Sequence, residues 1–390
     1  MGFGINRQSS KCTPQITQYF KGKKNASARR IFISVSGVTF LLSITCLDKG
    51  MYLRINKVQK KFPEVNQSFE DLFKILLGPI RSQLLLTGIE LKMFNQLSEP
   101  RSADAVARTL DTHPRNTEVF LDSLTAIDLL QKKKGRYRNA PLAQAFLVEG
   151  SPTYVGALLQ LQHSQFSFQN LSQLIKEGPQ PLPERAFSEE MFAQEYASSE
   201  LAGNAQIMVD VVSELPEFSS FRKMLDLGGG PGLIGMAVVA VHPSMEGVIF
   251  DLPPMVKAAK TFIKEYGMED RMTVWGGDGF QDSIGEGYDL VLVCTSIQGY
   301  RDKLDALVKK IYDALNLRGV FISYFYGLTH ERTKPEISVL SLLSMALAGY
   351  DMGLDQGFIA DSMLRGGFKS VRSRTVNTPW GPMELDIARK

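Results

Sequence analysis

From residue 221 onward the chain alternates between short apolar runs and amphipathic ones, and few folds accommodate that rhythm. "KMLDL", "GVIFD", "MTVWGGD", "YDLVLVC" and "GVFISYF" have strand character. Between them, "GLIGMAVVAV", "PMVKAAKTFIKEYG" and "DKLDALVKKIYDAL" have helical spacing. Apolar strands separated by such helices predict a parallel, doubly wound α/β sheet covered on both faces. A closing pair, "FKSVRSRTVN" and "PMELDIAR", predicts an antiparallel hairpin at one end.

The first strand-like run leads into "GGGPGLIG", so that five glycines fall between residues 228 and 235. Gly230, Gly232 and Gly235 satisfy G-x-G-x-x-G, and Asp251 lies 21 residues after Gly230, so spacing alone matches a dinucleotide fingerprint. Two features point elsewhere. Asp226, directly before the glycines, would repel a pyrophosphate but can accept hydrogen bonds from an ammonium group. The register D-x-G-G-G-x-G also puts the bend at Gly228–Gly230 and leaves Gly235 inside the helix as a packing residue. S-adenosylmethionine (SAM) carries an amino-acid head, a ribose and an adenine, with no phosphate. It calls for an acid at the first turn, a second after strand two for the ribose hydroxyls and a polar contact after strand three. Asp226, Asp251 and Asp278 occupy those three places.

Residues 66–215 read differently, as helices with one hairpin. "SADAVARTLDTHPRNTEVFLDSLTAIDLL" offers Ser102 as an N-cap, with Val106, Leu110, Phe120, Leu121, Leu124 and Ile127 at helical spacing. "LLQKKKGRYRNA" predicts a β-hairpin around Gly135. Helix, helix, hairpin is a winged-helix order. Lys132, Lys133, Lys134, Arg136 and Arg138 would make a basic wing, but the would-be recognition helix sets Glu118 and Asp122 against Arg115. That is the wrong sign to approach phosphates, so a docking or dimerisation module is expected, without nucleic acid.

The charge is unevenly spread. Residues 1–50 carry eight basic side chains and one acid, leaving 36 basic against 40 acidic in 51–390. A mildly acidic body argues against general affinity for nucleic acid or anionic membrane. Cys294 is the single cysteine of that body, so no internal disulfide can form there, and a reducing, cytoplasmic setting is expected. The leader runs into "IFISVSGVTFLLSITCL", residues 31–47, which is short for a spanning helix and resembles a signal or anchor segment. The expected division is a leader over 1–50 outside the folded body, a winged-helix domain over 51–215 and a SAM-binding domain over 216–390. No stable membrane insertion is expected for 51–390.

The sequence resembles the winged-helix-dimerised class I O-methyltransferases, which include plant small-molecule enzymes, bacterial carotenoid and polyketide methyltransferases, and the bacteriochlorophyllide C-methyltransferase. "GIELKMFNQLSEPRSADAVA", "LLQKKKGRYRNAPLAQAFL", "MLDLGGGPG", "VIFDLPPMV" and "DRMTVWGGDGF" carry the likeness, over about residues 70–388. It implies a Rossmann-like catalytic sheet, a homodimer formed through the N-terminal domain and an acceptor pocket between the two domains. It would assign Gly228, Gly230, Asp251, Leu252, Asp278 and Phe280 to SAM, with Gly232 and Gly279 completing the two loops. It also places Cys294 where many members have a lysine near the cofactor.

The departures concern the chemistry. Plant-type members remove the acceptor proton with a histidine supported by two glutamates; here Gln298 stands at the histidine position and Phe325 replaces the first glutamate. The second falls near Asp351. A Gln amide orients an acceptor but is no general base. His163, in "LLQLQHSQFSFQNL", is a candidate to touch substrate, the plainer alternative being a helix-face histidine without a chemical role. Aromatic and methionine side chains over 320–365 favour a small apolar or aromatic acceptor, methylated on oxygen, carbon or sulfur, and no metal. The alternatives are a relative that keeps SAM without transferring its methyl, and a winged-helix DNA-binding regulator.

Overall fold

The computed structural model describes residues 29–35, 38–47, 50–57, 65–166, 171–180 and 189–390. Contacts divide the chain into two units, Met1–Ile75 and Leu76–Lys390. In the first unit, β1 (Arg29–Val35), β2 (Val38–Leu47) and β3 (Gly50–Lys57) form an antiparallel sheet in that order. The apolar segment 31–47, expected as an anchor-like leader, thus falls largely in strands. Its β-branched Ile31, Ile33, Val38, Thr39, Ile44 and Thr45 favour extended backbone. β3 carries the pairing past residue 51, across the boundary expected there. The helix Glu70–Leu76 buries none of its residues and exposes Leu72, Phe73, Ile75 and Leu76.

The second unit opens with the helix Gly78–Glu90, then β4 (Arg101–Ser102), the helices Ala103–Leu110 and Pro114–Ala126, and a hairpin of β5 (Leu130–Lys133) and β6 (Arg136–Asn139). Ser102 caps its helix as expected, its Oγ accepting the Ala105 N–H at 3.3 Å. The hairpin turns at Lys134 and Gly135, with φ of 49° and 73°, a pair of left-handed residues that matches the twist of the two strands. Val106, Leu121 and Leu124 are fully buried against Phe94, Leu97 and Tyr137. Asp122 accepts from the Lys132 ammonium at 2.7 Å and from the Tyr137 hydroxyl at 2.8 Å, so one cation of the basic hairpin is paired within the fold.

The remainder builds one seven-stranded sheet: β7 (Lys223–Leu227), β8 (Glu246–Asp251), β9 (Met272–Gly276), β10 (Tyr288–Cys294), β11 (Leu315–Phe325), then, after the short pair β12 (Gly327–Leu328) and β13 (Leu354–Asp355), β14 (Ser370–Thr378) and β15 (Gly381–Arg389). The order is β14-β15-β11-β10-β7-β8-β9. The five strands β7 to β11 run parallel, and β15 is antiparallel to both neighbours, the closing hairpin that the sequence predicts. Helices Ala205–Ser213 and Leu233–Val241 cover one face, burying Met208, Val212, Met236 and Val239 on Met224, Leu290 and Ile322. Helices Leu304–Ala314 and Phe358–Arg365 cover the other, with Leu307, Ile311 and Met363 on Val291 and Phe321. Connections leave β7 and β10, neighbours at the centre, in opposite directions. A crevice therefore opens at their carboxyl ends, where ligands gather in open α/β sheets.

Candidate functional site

Asp226 is the second-last residue of β7, among the apolar and buried Met224, Leu225 and Leu227. Its side chain is 1% exposed. Oδ2 accepts the Gly235 N–H at 3.1 Å, while Oδ1 is buried without a partner. Burial pushes the carboxyl up to about 7, against the pull of the Gly235 N–H. Space for it comes from two glycines. A Cβ at Gly229 would lie 2.7 Å from its Cγ, and one at Gly235 2.7 Å from its Oδ2. Gly235 is thus a packing residue within its helix. The bend needs glycine as well: Gly228 and Gly230 have φ of 69° and 55°, and a Cβ on Gly228 would overlap the Ser296 hydroxyl at 2.4 Å.

Asp251 ends β8 and closes the loop from the other side. Its Oδ2 accepts the Gly230 N–H and its Oδ1 the Leu252 N–H, both at 2.7 Å. Burial raises this carboxyl, and the two N–H groups pull it back. After β9, Asp278 turns on itself. Its Oδ1 accepts the Phe280 N–H at 2.8 Å and its Oδ2 the Gln281 amide at 2.9 Å, and the Phe280 N–H holds the carboxyl below the usual range. Lys310 steadies the same turn by donating to the Gly279 carbonyl at 2.9 Å.

These elements frame two adjoining cavities. The first is lined by Tyr196, Glu200, Asp226, Gly228–Pro231, Ile234, Asp251, Met255 and Cys294–Ser296. The second, beside β9, is lined by Leu227, Gly228, Phe250–Leu252, Gly277–Phe280, Val293, Ser296, Ile297 and Leu307. Gly228, Asp251 and Ser296 belong to both. Nine of the ten residues expected at the cofactor thus come together here; Gly232 lies just behind, with φ of 82°, its Cβ position only 2.3 Å from Ile249 Cδ1, and supports the turn. Cys294 is a free, buried thiol pushed well above its usual value by burial and then by Asp226. Thr295 beside it has a φ of 56°, strained for a β-branched residue, at the strand end that meets the cavity.

The residues expected on the acceptor side are placed differently. Gln298 opens the short helix Gln298–Lys303 directly after β10. His163 is exposed on the helix Gly156–Phe166 and lines neither cavity. Asp351 is taken up by two guanidinium groups, Arg301 at 2.6 Å and Arg332 at 3.0 Å, and Arg332 holds its carboxyl below the usual range. Phe325, at the missing glutamate position, is buried and pairs across to Glu384 of β15.

Glu200 escapes a reading based on strand ends, because it lies 26 residues before Asp226 in a widened helical turn, Glu200–Asn204. Its Oε2 accepts the Leu233 N–H at 2.9 Å and the Ile234 N–H at 3.2 Å, capping the helix that follows the glycines. Burial, then the neighbouring Asp226, pushes this carboxyl well above its usual range. The only signal in the sequence is a lone acid in the otherwise uncharged "ASSELAGNA".

The site suits SAM on its own terms. A buried carboxylate oxygen without a partner asks for a cationic donor, which the ammonium supplies and a pyrophosphate does not. Comparison with known proteins agrees. A model of the O-methyltransferase domain matches residues 179–350, and one of the O-methyltransferase dimerisation domain matches residues 73–149. The N,N-dimethyltransferase OxyT of Streptomyces rimosus is 30% identical over 257 residues, 63% of this chain and 74% of that protein. The tetracenomycin polyketide synthesis 8-O-methyl transferase TcmO of Streptomyces glaucescens is 27% identical over 343 residues, 82% of this chain and 96% of the other. Human N-acetylserotonin methyltransferase, solved in complex with SAM, has the same fold, with a TM-score of 0.69 at 23% identity over 85% of this chain and 99% of its own. The chain belongs to the family of SAM-dependent O-methyltransferases that join a dimerisation domain to an O-methyltransferase domain.

Proposed function

We propose that the protein transfers a methyl group from SAM to a small apolar or aromatic acceptor, by positioning rather than by histidine-assisted proton removal. The observation that carries the cofactor's placement is the buried, unpartnered Oδ1 of Asp226, a residue that lines the first cavity together with Asp251. Asp226 would take the ammonium of the amino-acid head and Asp251 the ribose hydroxyls. The turn Gly277–Phe280, with Leu252, would flank the adenine in the second cavity. The bound cofactor supplies an electrophilic methyl group on a sulfonium, open to in-line attack.

The chain's own contribution is then orientation. Gln298 offers an amide that donates and accepts but takes no proton at ordinary pH. Asp351, bound by Arg301 and Arg332, is committed to holding the segment after β10 against the segment before β13. Such a site favours an acceptor that attacks unaided, such as an acidic phenol, an enolate, a thiolate or an amine. The name of the Streptomyces rimosus relative records nitrogen as an acceptor in the family.

Calorimetric titration with SAM, S-adenosylhomocysteine (SAH) and NAD tests the site. Both sulfur nucleotides should bind, NAD should not, and Asp251→Ala should weaken both. NAD binding without SAM would overturn the reading. SAM bound and returned unchanged from every acceptor class would favour the non-methylating alternative, which Gln298 and Phe325 support. With a phenolic acceptor, Gln298→His should add a titrating base.

The assembly proposed is a homodimer in the cytoplasm. One helical stretch among the described residues, Glu70–Glu90, is long and apolar enough by length and composition to cross a membrane, and the dimerisation model begins within it. We assign its uncovered Leu72, Phe73 and Leu76 to contact with a second copy.

A further inference from the structure

Three carboxyl groups, Glu200, Asp226 and Asp251, line the first cavity, and no lysine, arginine or histidine does so among the described residues. Asp251 has two backbone N–H donors and Glu200 has two, whereas Asp226 Oδ1, in a side chain 1% exposed, has none. An ammonium and a ribose account for Asp226 and Asp251. Glu200 is left over, yet it is built in with care. The turn that carries it is tied down by a buried network in which Tyr324 donates to Asn204 at 3.0 Å, Asn204 donates to the Ser199 carbonyl at 3.2 Å, and the Trp380 indole donates to Ser199 Oγ at 3.1 Å. Glu200 also fills the N-terminus of the helix Leu233–Val241, the position that would otherwise welcome an anionic ligand group.

We propose that Glu200 reads the charge of the bound nucleotide, making the cavity prefer the sulfonium of SAM over the uncharged thioether of SAH and so favouring release of the spent cofactor. SAM carries one net positive charge, from its ammonium and sulfonium less its carboxylate. SAH has lost the sulfonium charge and is neutral overall. The arriving cation favours the charged forms of the buried acids and is attracted by them, whereas the neutral nucleotide gains only through the ammonium that both ligands share. The inference rests on the SAM reading of the site and adds a selectivity to it.

The test is calorimetric titration of the wild type and Glu200→Gln with SAM and SAH in parallel. Gln keeps an oxygen to accept from Leu233 and Ile234, puts an NH2 group in place of the other oxygen and cannot take up a negative charge. SAM should weaken about tenfold while SAH changes by less than about threefold. Equal weakening of both ligands would overturn the proposal and leave Glu200 as a helix cap, and so would no change in either. If neither ligand bound the wild type, the cofactor reading would fall and take this inference with it. Tyr324→Phe supplies a second variant, since it frees Asn204 without touching the cavity wall. It should lower the ratio of SAM to SAH affinity in the same direction, and an unchanged ratio would count against a rigidly placed Glu200.

Discussion

Gly235→Ala sets two effects of opposite sign against each other, and the structure decides between them. In an ordinary helix interior the change to alanine gains about 1 kcal/mol of helix propensity. Here the new Cβ would stand 2.7 Å from Asp226 Oδ2 and 3.1 Å from Asp226 Cβ. The carboxylate packs closely against the glycine loop as well, since a Cβ at Gly229 would lie 2.7 Å from its Cγ. Moving it breaks the 3.1 Å bond from the Gly235 N–H. A hydrogen bond to a charged group is worth about 1.5–3 kcal/mol, and overpacking a core adds about 1–3 kcal/mol. The balance is a net destabilisation of about 1.5–5 kcal/mol, measurable by urea unfolding of the ligand-free protein. Asp226→Ala opens the space, so the double variant should be more stable than the sum of the single changes by about 1 kcal/mol or more. A Gly235→Ala variant as stable as the wild type, or additive behaviour in the cycle, would refute the packing argument.

Other outcomes follow from the same geometry. Binding of SAM should release protons at pH 6, because burial holds the Asp226 and Glu200 carboxyls up in the ligand-free cavity and an arriving cation favours their charged forms; Asp251 and the Cys294 thiol face the same space. Calorimetry in buffers of different ionisation enthalpy measures the number, which should fall in Asp226→Asn. Phe73→Asp should shift the protein toward monomer in analytical ultracentrifugation, and detergent should leave the wild-type dimer intact. Substituting Lys132 with Met should leave the thermal unfolding midpoint nearly unchanged, because the pair it makes with Asp122 is solvent-exposed.

The catalytic half was legible because its signals are local. The central parallel strands β7, β8 and β10 are short, mostly buried runs, and the acids that end β7 and β8 sit where the sheet must open. What escaped depends on approach between distant segments. Glu200 reaches its helix across 33 residues, and its role follows from the widened turn at Gly203 rather than from any spacing. Asp278 was legible as a position but not as a partner, since its carboxylate is spent on its own turn. Asp351 was legible as a carboxylate near the site, but its bonds to Arg301 and Arg332 depend on segments distant in sequence. The segment 31–47 resembles a signal or anchor segment by composition, while its β-branched residues favour the strands β1 and β2 in which most of it falls.

Glu384 makes a last argument about buried acids on which the sign can be worked out in full. It pairs across from Phe325, and its two oxygens accept the Gly357 N–H at 2.9 and 3.1 Å, capping the helix Phe358–Arg365. Burial, helped by the charges of Asp386 and Asp361, pushes its carboxyl up to about 7, while the Gly357 N–H pulls it down. An unfolded glutamate titrates near 4.3, so between about pH 4 and 7 the folded chain holds more protons at this group than the unfolded chain does. Stability from this group is therefore highest in acid and declines as pH rises toward 7. Glu384→Gln keeps an oxygen for Gly357 and removes the titration. The variant should gain on the wild type from pH 5 to about pH 7 in urea unfolding and then level off toward pH 8, whatever their order at pH 5. Parallel stability curves over that range would show that Glu384 is charged and well solvated in the folded state, and the burial argument would fail for it.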